Sequence, residues 1–102
     1  VEMLKALGHL YTEAGKFEAG LQTDLALSRL RPQEALVWYN LACSYALLSQ
    51  STEAMSALEQ AVKLGYRDYA ALRQDSDLVS LQKDCRFKEL LRRIVAEFPN
   101  PV

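Results

Sequence analysis

Residues 35–50 read ALVWYNLACSYALLSQ, sixteen positions without a charged side chain. A helix on the surface of a globular protein keeps one polar face wet, so a helix without charge either hides its faces in the core or holds one ready for a partner. The rest of the chain is different. Residues 1–34 carry nine charges and residues 67–102 carry thirteen, while residues 35–66 carry only Glu53, Glu59 and Lys63. The charge-free run extends to Thr52 and includes Asn40, Ser44, Ser49, Gln50 and Ser51. A membrane span needs about 20 mainly apolar residues, so a membrane helix is a poor reading.

Outward from this stretch, apolar residues recur at helical spacing. Leu4, Leu7, Leu10 and Tyr11 define a first helix closing near Gly15, and Leu21, Leu25 and Leu27 a second ending before Pro32. Trp38, Leu41, Ala42 and Tyr45 mark the third. Met55, Leu58, Ala61 and Val62 mark the fourth, with Ser51 or Thr52 expected as its cap and Gly65 as its end. Asp68 is placed to cap a short fifth helix, Asp75 or Ser76 to start a turn with Leu78 and Leu81, and Asp84 to cap a last helix. That last helix carries Phe87, Leu90, Leu91, Ile94, Val95 and Phe98 in one stripe and stops at Pro99. No useful β-alternation is present, and connections are short. An all-α chain of antiparallel helical pairs is expected.

The chain also repeats at an offset of 34 residues. Leu4 falls on Trp38, Leu7 on Leu41, Gly8 on Ala42, Tyr11 on Tyr45, Gly20 on Ala54 and Leu21 on Met55. Large meets large and small meets small. This period and these positions resemble the tetratricopeptide repeat. LGHLYTEAGKFEAGL and WYNLACSYALLSQSTEAMSALEQAV carry the resemblance, with Pro32 where the family favours proline. Asp24, where the family has a large apolar residue, and Tyr66, in place of a second proline, depart from it. Asp24 is expected to turn outward or to accept a hydrogen bond from Tyr39 or Trp38. The segment after Gly65 resembles the closing pattern of such arrays, through Asp75, Asp77, Leu78, Leu81, Asp84, Arg86, Phe87, Leu90 and Leu91. A stack of repeats needs an end cap over its last apolar face. The resemblance implies a short right-handed solenoid: repeats over 1–34 and 35–68, then cap helices over 69–102.

Such repeats imply a non-enzymatic protein-binding module, with the first helix of each hairpin lining a concave groove. The family register puts Glu2, Lys5, His9, Thr12 and Glu13 on the groove in the first repeat, and Leu36, Tyr39, Cys43, Ala46 and Leu47 in the second. The expected partner-binding set is Lys5, His9, Glu13, Leu36, Tyr39, Asn40, Cys43 and Leu47. It would receive a peptide or helix, form a homodimer seam, serve as a regulatory segment of a larger protein, or be covered by the chain's own C-terminal helix. On this reading Tyr39→Ala impairs binding with little loss of fold, whereas Trp38→Ala costs about 3 kcal/mol or more. Some relatives clamp a chaperone's C-terminal carboxylate. Lys5 and Asn40 match that pattern, but His9, Ala70 and Gln74 do not, so both are read as ordinary repeat residues.

Other chemistry has less to stand on. His9 and Cys43 hold equivalent repeat positions, but no third metal ligand, glycine-rich anion loop or oxyanion donor accompanies them. Neither catalysis, a metal nor a cofactor is expected. Asp75, Asp77 and Asp84 lack calcium-loop spacing and are read as helix-start residues. RFKELLRRIVAEF is basic on one face through Arg86, Lys88, Arg92 and Arg93, which would suit a membrane surface or an acidic partner; with Glu89 and Glu97 among them, and the apolar stripe used as the cap, it is read as a solvated face. The net charge of −1 argues against nucleic acid as a partner. Two cysteines make no disulfide framework and suit a reducing compartment, taken as the cytoplasm. No signal-peptide pattern is visible, and a start at Val1 is expected of an excerpt from a longer protein.

Overall fold

A computed structural model describes residues 15–66 and 68–97. The expected first helix, with Glu2, Lys5, His9, Thr12 and Glu13, lies outside them. The described elements are α1 (Phe17–Leu30), α2 (Ala35–Leu47), α3 (Ser51–Lys63), the short α4 (Tyr69–Gln74), a 3-10 turn (Ser76–Leu81) and α5 (Cys85–Glu97). The chain is all-α, with helices packing on their sequence neighbours as in a helical repeat.

The boundaries have local causes. Gly15 precedes α1 at φ +78°, a conformation glycine adopts without steric cost. After Leu30 the Arg31 amide bonds the Leu27 carbonyl at 2.8 Å, and Pro32 follows. α2 and α3 end alike. The Gln50 amide reaches back to the Tyr45 carbonyl, and the Tyr66 amide to the Ala61 carbonyl, each at 2.9 Å. These are the six-to-one bonds of a Schellman ending. The left-handed residue is Gly65 at φ +115° in one case and Ser49 at φ +61° in the other. The expected cap of α3 is corrected: Ser51 is already helical, Gln50 holds the cap position, and no side chain caps it. The three acidic caps stand as expected. Asp68 accepts from the Ala71 amide, Asp75 from the Asp77 amide and Asp84 from the Arg86 amide.

The core follows from α2 being wrapped. α1 packs on one side of it, α3 on another, and the 3-10 turn on a third. Leu41 and Ala42 are buried with Ala54, Leu58 and Ala61 of α3, where small side chains let the two backbones approach. α5 closes the end: Phe87, Leu90 and Ile94 pack with Leu72, Leu78 and Leu81 in the same cluster. Trp38 is only partly buried, with its indole N–H donating to the Pro32 carbonyl at 2.9 Å; Val37 is the fully buried neighbour. Asp24 neither faces outward nor meets Tyr39 or Trp38. It is buried and accepts the Ser44 hydroxyl at 2.5 Å, joining α1 to α2. Burial raises its carboxyl above the usual range, and the Ser44 bond opposes the shift.

Candidate partner-binding site

Leu36, Tyr39, Asn40, Cys43, Ala46 and Leu47 lie on neighbouring faces of α2, and the fold treats them in two ways. The 3-10 turn runs along Tyr39, Cys43 and Ala46. Tyr39 is 4% exposed and Cys43 7%, and Ala46 is buried with them. The expectation that Tyr39 and Cys43 line an open groove is therefore corrected. The covering segment is residues 75–81, not the long last helix. Leu36, by contrast, stays 50% exposed, Asn40 is exposed and Leu47 is half-buried.

Asp75 holds the sealed part together. One of its oxygens accepts from the Asp77 amide at 2.9 Å and starts the 3-10 turn. The other accepts the Tyr39 hydroxyl and lies 3.9 Å from the Cys43 sulfur, whose thiol donates to it. At the far end of the turn the Ser80 hydroxyl donates to the Ala46 carbonyl at 3.1 Å. The Tyr39 ring stacks on Tyr66, with centroids 4.4 Å apart and planes 23° from parallel. The Schellman ending of α3 delivers Tyr66 to that place, so the departure from the family's proline has a packing role.

The electrostatics follow from this enclosure. Burial pushes the Tyr39 hydroxyl up, and neighbouring Cys43 and the bond to Asp75 push it the same way. Burial pushes Tyr66 up to about 12. Burial, then the carboxylates of Asp75 and Asp77, push the Cys43 thiol up. A protonated thiol is neither a good nucleophile nor a metal ligand. Cys43, Asp75 and Asp77 do bring donor atoms within 4.8 Å of one another. Both Asp75 oxygens already accept hydrogen bonds, however, so the trio serves as the anchor of the turn. Cys85 is free and exposed. Among the described residues no helix is long and apolar enough to cross a membrane.

Residues 35–64, which are α2, its turn and α3, match the family model described as tetratricopeptide repeat. The chain carries a tetratricopeptide repeat. Over 96 residues it is 38% identical to a protein of Arabidopsis thaliana whose name marks it as chloroplastic, an alignment covering 91% of this chain and 29% of that protein. The chain thus spans less than a third of the length of that curated relative. No solved structure matches it. Within the tetratricopeptide frame, α2 and α3 are the two helices of one repeat. The 3-10 turn fills part of the inner surface that the repeat register assigns to a groove. Sequence reasoning missed the Asp75–Tyr39 bond, for which Asp75 as a helix-start residue was the available signal.

Proposed function

We propose that this chain is a protein-interaction module that receives a partner segment on the open part of α2, at Leu36, Asn40 and Leu47. The repeat register would bring Lys5, His9 and Glu13, which lie outside the described residues, to the edge of this surface. The observation that carries this reading is Leu36. It is a large apolar residue kept half in water on a helix whose other apolar residues are buried or half-buried. Repeats of this family are generally non-catalytic, and we assign no reaction to the chain. The free thiols suit a reducing compartment, the cytoplasm or the chloroplast to which the name of the Arabidopsis relative assigns that protein.

Site-specific photo-crosslinking tests the reading. A photoreactive side chain at position 36 should join the chain to another protein, and the same probe at exposed position 59 should not. Crosslinks only to a second copy would replace the reading with a homodimer seam. Equal yields from both positions would refute it.

A further inference from the structure

We infer that the cleft between α4 and α5 is a docking groove for an acidic segment of a partner protein: a short peptide with one large apolar side chain flanked by carboxylates. Two stripes meet there. On α5, Lys88, Leu91, Arg92 and Val95 stand at i, i+3, i+4 and i+7, which places them on one face. On α4, Tyr69 and Arg73 stand one turn apart and face the same cleft. The cavity is about 580 Å³, in the range of ligand pockets and roomy for an anchoring side chain. Leu91 and Tyr69 are half-buried and Val95 is 40% exposed, so the groove has a wetted apolar lining.

The charge around that lining selects the occupant. Arg73, Lys88 and Arg92 line the groove, and among the described residues no carboxylate does. Arg73 lies over the Tyr69 ring, 5.8 Å from its centroid. Arg92 holds Glu89 at 2.6 Å, so the site stays net positive with that carboxylate counted. The other basic residues of α5 are used elsewhere: Arg86 binds Asp84 and Thr52, and Arg93 binds Glu59. The basic face of α5 is thus divided, and Lys88 and Arg92 are the part turned to the cleft. The apolar stripe divides too. Phe87, Leu90 and Ile94 close the core, whereas Leu91 and Val95 border the groove.

Other occupants fit less well. A second copy docking through the same face would set cations against cations, because an isologous contact pairs a patch with itself. A membrane surface favours a protruding face with large aromatic and aliphatic side chains, and here the apolar residues sit between two helices. Nucleic acid would gain little from three cations on a chain of net charge −1. An extended acidic peptide supplies opposite charge at the rim and an apolar anchor at the centre, as in other groove-recognition modes. This groove is separate from the open part of α2, so either reading can fail without the other.

The test uses the 102-residue chain and a fluorescein-labelled peptide of about ten residues with a single Leu flanked by Glu and Asp. Binding is followed by fluorescence anisotropy at low and at elevated salt, and amide NMR shifts locate it. The acidic peptide should bind, its lysine-substituted counterpart should not, and shifts should concentrate in α4 and α5. The double variant R73E/K88E should bind at least tenfold more weakly with unchanged melting, since both side chains are exposed. Val95→Glu should weaken binding as well. Absence of binding, shifts centred on α2, or an equal loss from reversing exposed Arg29 and Lys63 would overturn the proposal. So would flotation with phosphatidylserine vesicles, or a concentration-dependent dimer abolished by Val95→Glu.

Discussion

α2 and α5 have the same length and opposite character. α2 carries no charge, and its burial extends round most of its circumference; α5 alternates a buried stripe with ion pairs. Position explains the difference. α2 is packed by α1, α3 and the 3-10 turn, whereas α5 sits at the end of the stack with α3 and α4 behind it. The contrast teaches where a binding surface can be sought. The most apolar of the described helices is mostly spent on the chain's own core. The helix that looks like an ordinary solvated cap keeps a lined, charged cleft.

Truncations inside each sealed region should break the comparison most severely. Tyr39→Ala removes a buried ring, its stack on Tyr66 and the donor to Asp75. Phe87→Ala empties the centre of the α5 contact. Each should cost about 3–5 kcal/mol in urea unfolding. For Tyr39 this reverses the expectation drawn from repeat register. A Tyr39→Ala loss below that of half-buried Trp38→Ala would return Tyr39 to the open surface.

Tyr39→Phe is a finer probe. It keeps the ring and the stack but removes the hydroxyl that Asp75 accepts. The loss should be about 1–2 kcal/mol, the usual cost of removing one partner of a buried hydrogen bond. No measurable change would mean that the bond to Asp75 adds nothing to the seal.

Asp24→Asn should act in the other direction. The folded carboxyl is raised above its ordinary value of 3.8 by burial. The folded state therefore holds a proton that the unfolded state has released, and stability falls as pH rises from 3.8 through the folded value. An amide can still accept from Ser44 and carries no charge to desolvate. The variant should be more stable than wild type at neutral pH by of order 1 kcal/mol, with the advantage fading in acid below the ordinary carboxylate range. An advantage that grew in acid would contradict the assignment.

The smallest effect belongs to the open stripe. Leu36→Ala should change stability by no more than about 0.5 kcal/mol while lowering the yield of partner crosslinks from a photoreactive side chain placed at exposed position 40. A larger loss of stability would show that Leu36 belongs to the core.

Much of the fold was legible because its signals are local. Asp68, Asp75 and Asp84 stand just before helix starts, and Gly65 lies beside the end of α3. Ser49 was not legible, because a left-handed ending usually takes glycine and nothing in a serine announces it. The sealed face of α2 was hidden for another reason. A helix apolar on all sides has no preferred side in sequence, so its pattern cannot say which stripe is covered and which is open. The contacts that decide it, Tyr39 with Asp75 and Ser44 with Asp24, join residues 36 and 20 positions apart. The α4–α5 cleft was missed because Arg86, Lys88, Arg92 and Arg93 read as one basic face until their partners separate them.

The two cysteines test the central division most directly. Cys43 lies beneath the 3-10 turn and Cys85 at the exposed start of α5. The native chain should be treated with a maleimide while each thiol is followed by mass spectrometry. Cys85 should react rapidly. Cys43 should react only at the rate of global unfolding, slowing as added osmolyte stabilises the fold. Native labelling of both at comparable rates would show that residues 75–81 do not close over α2 and would return Tyr39 and Cys43 to an open groove.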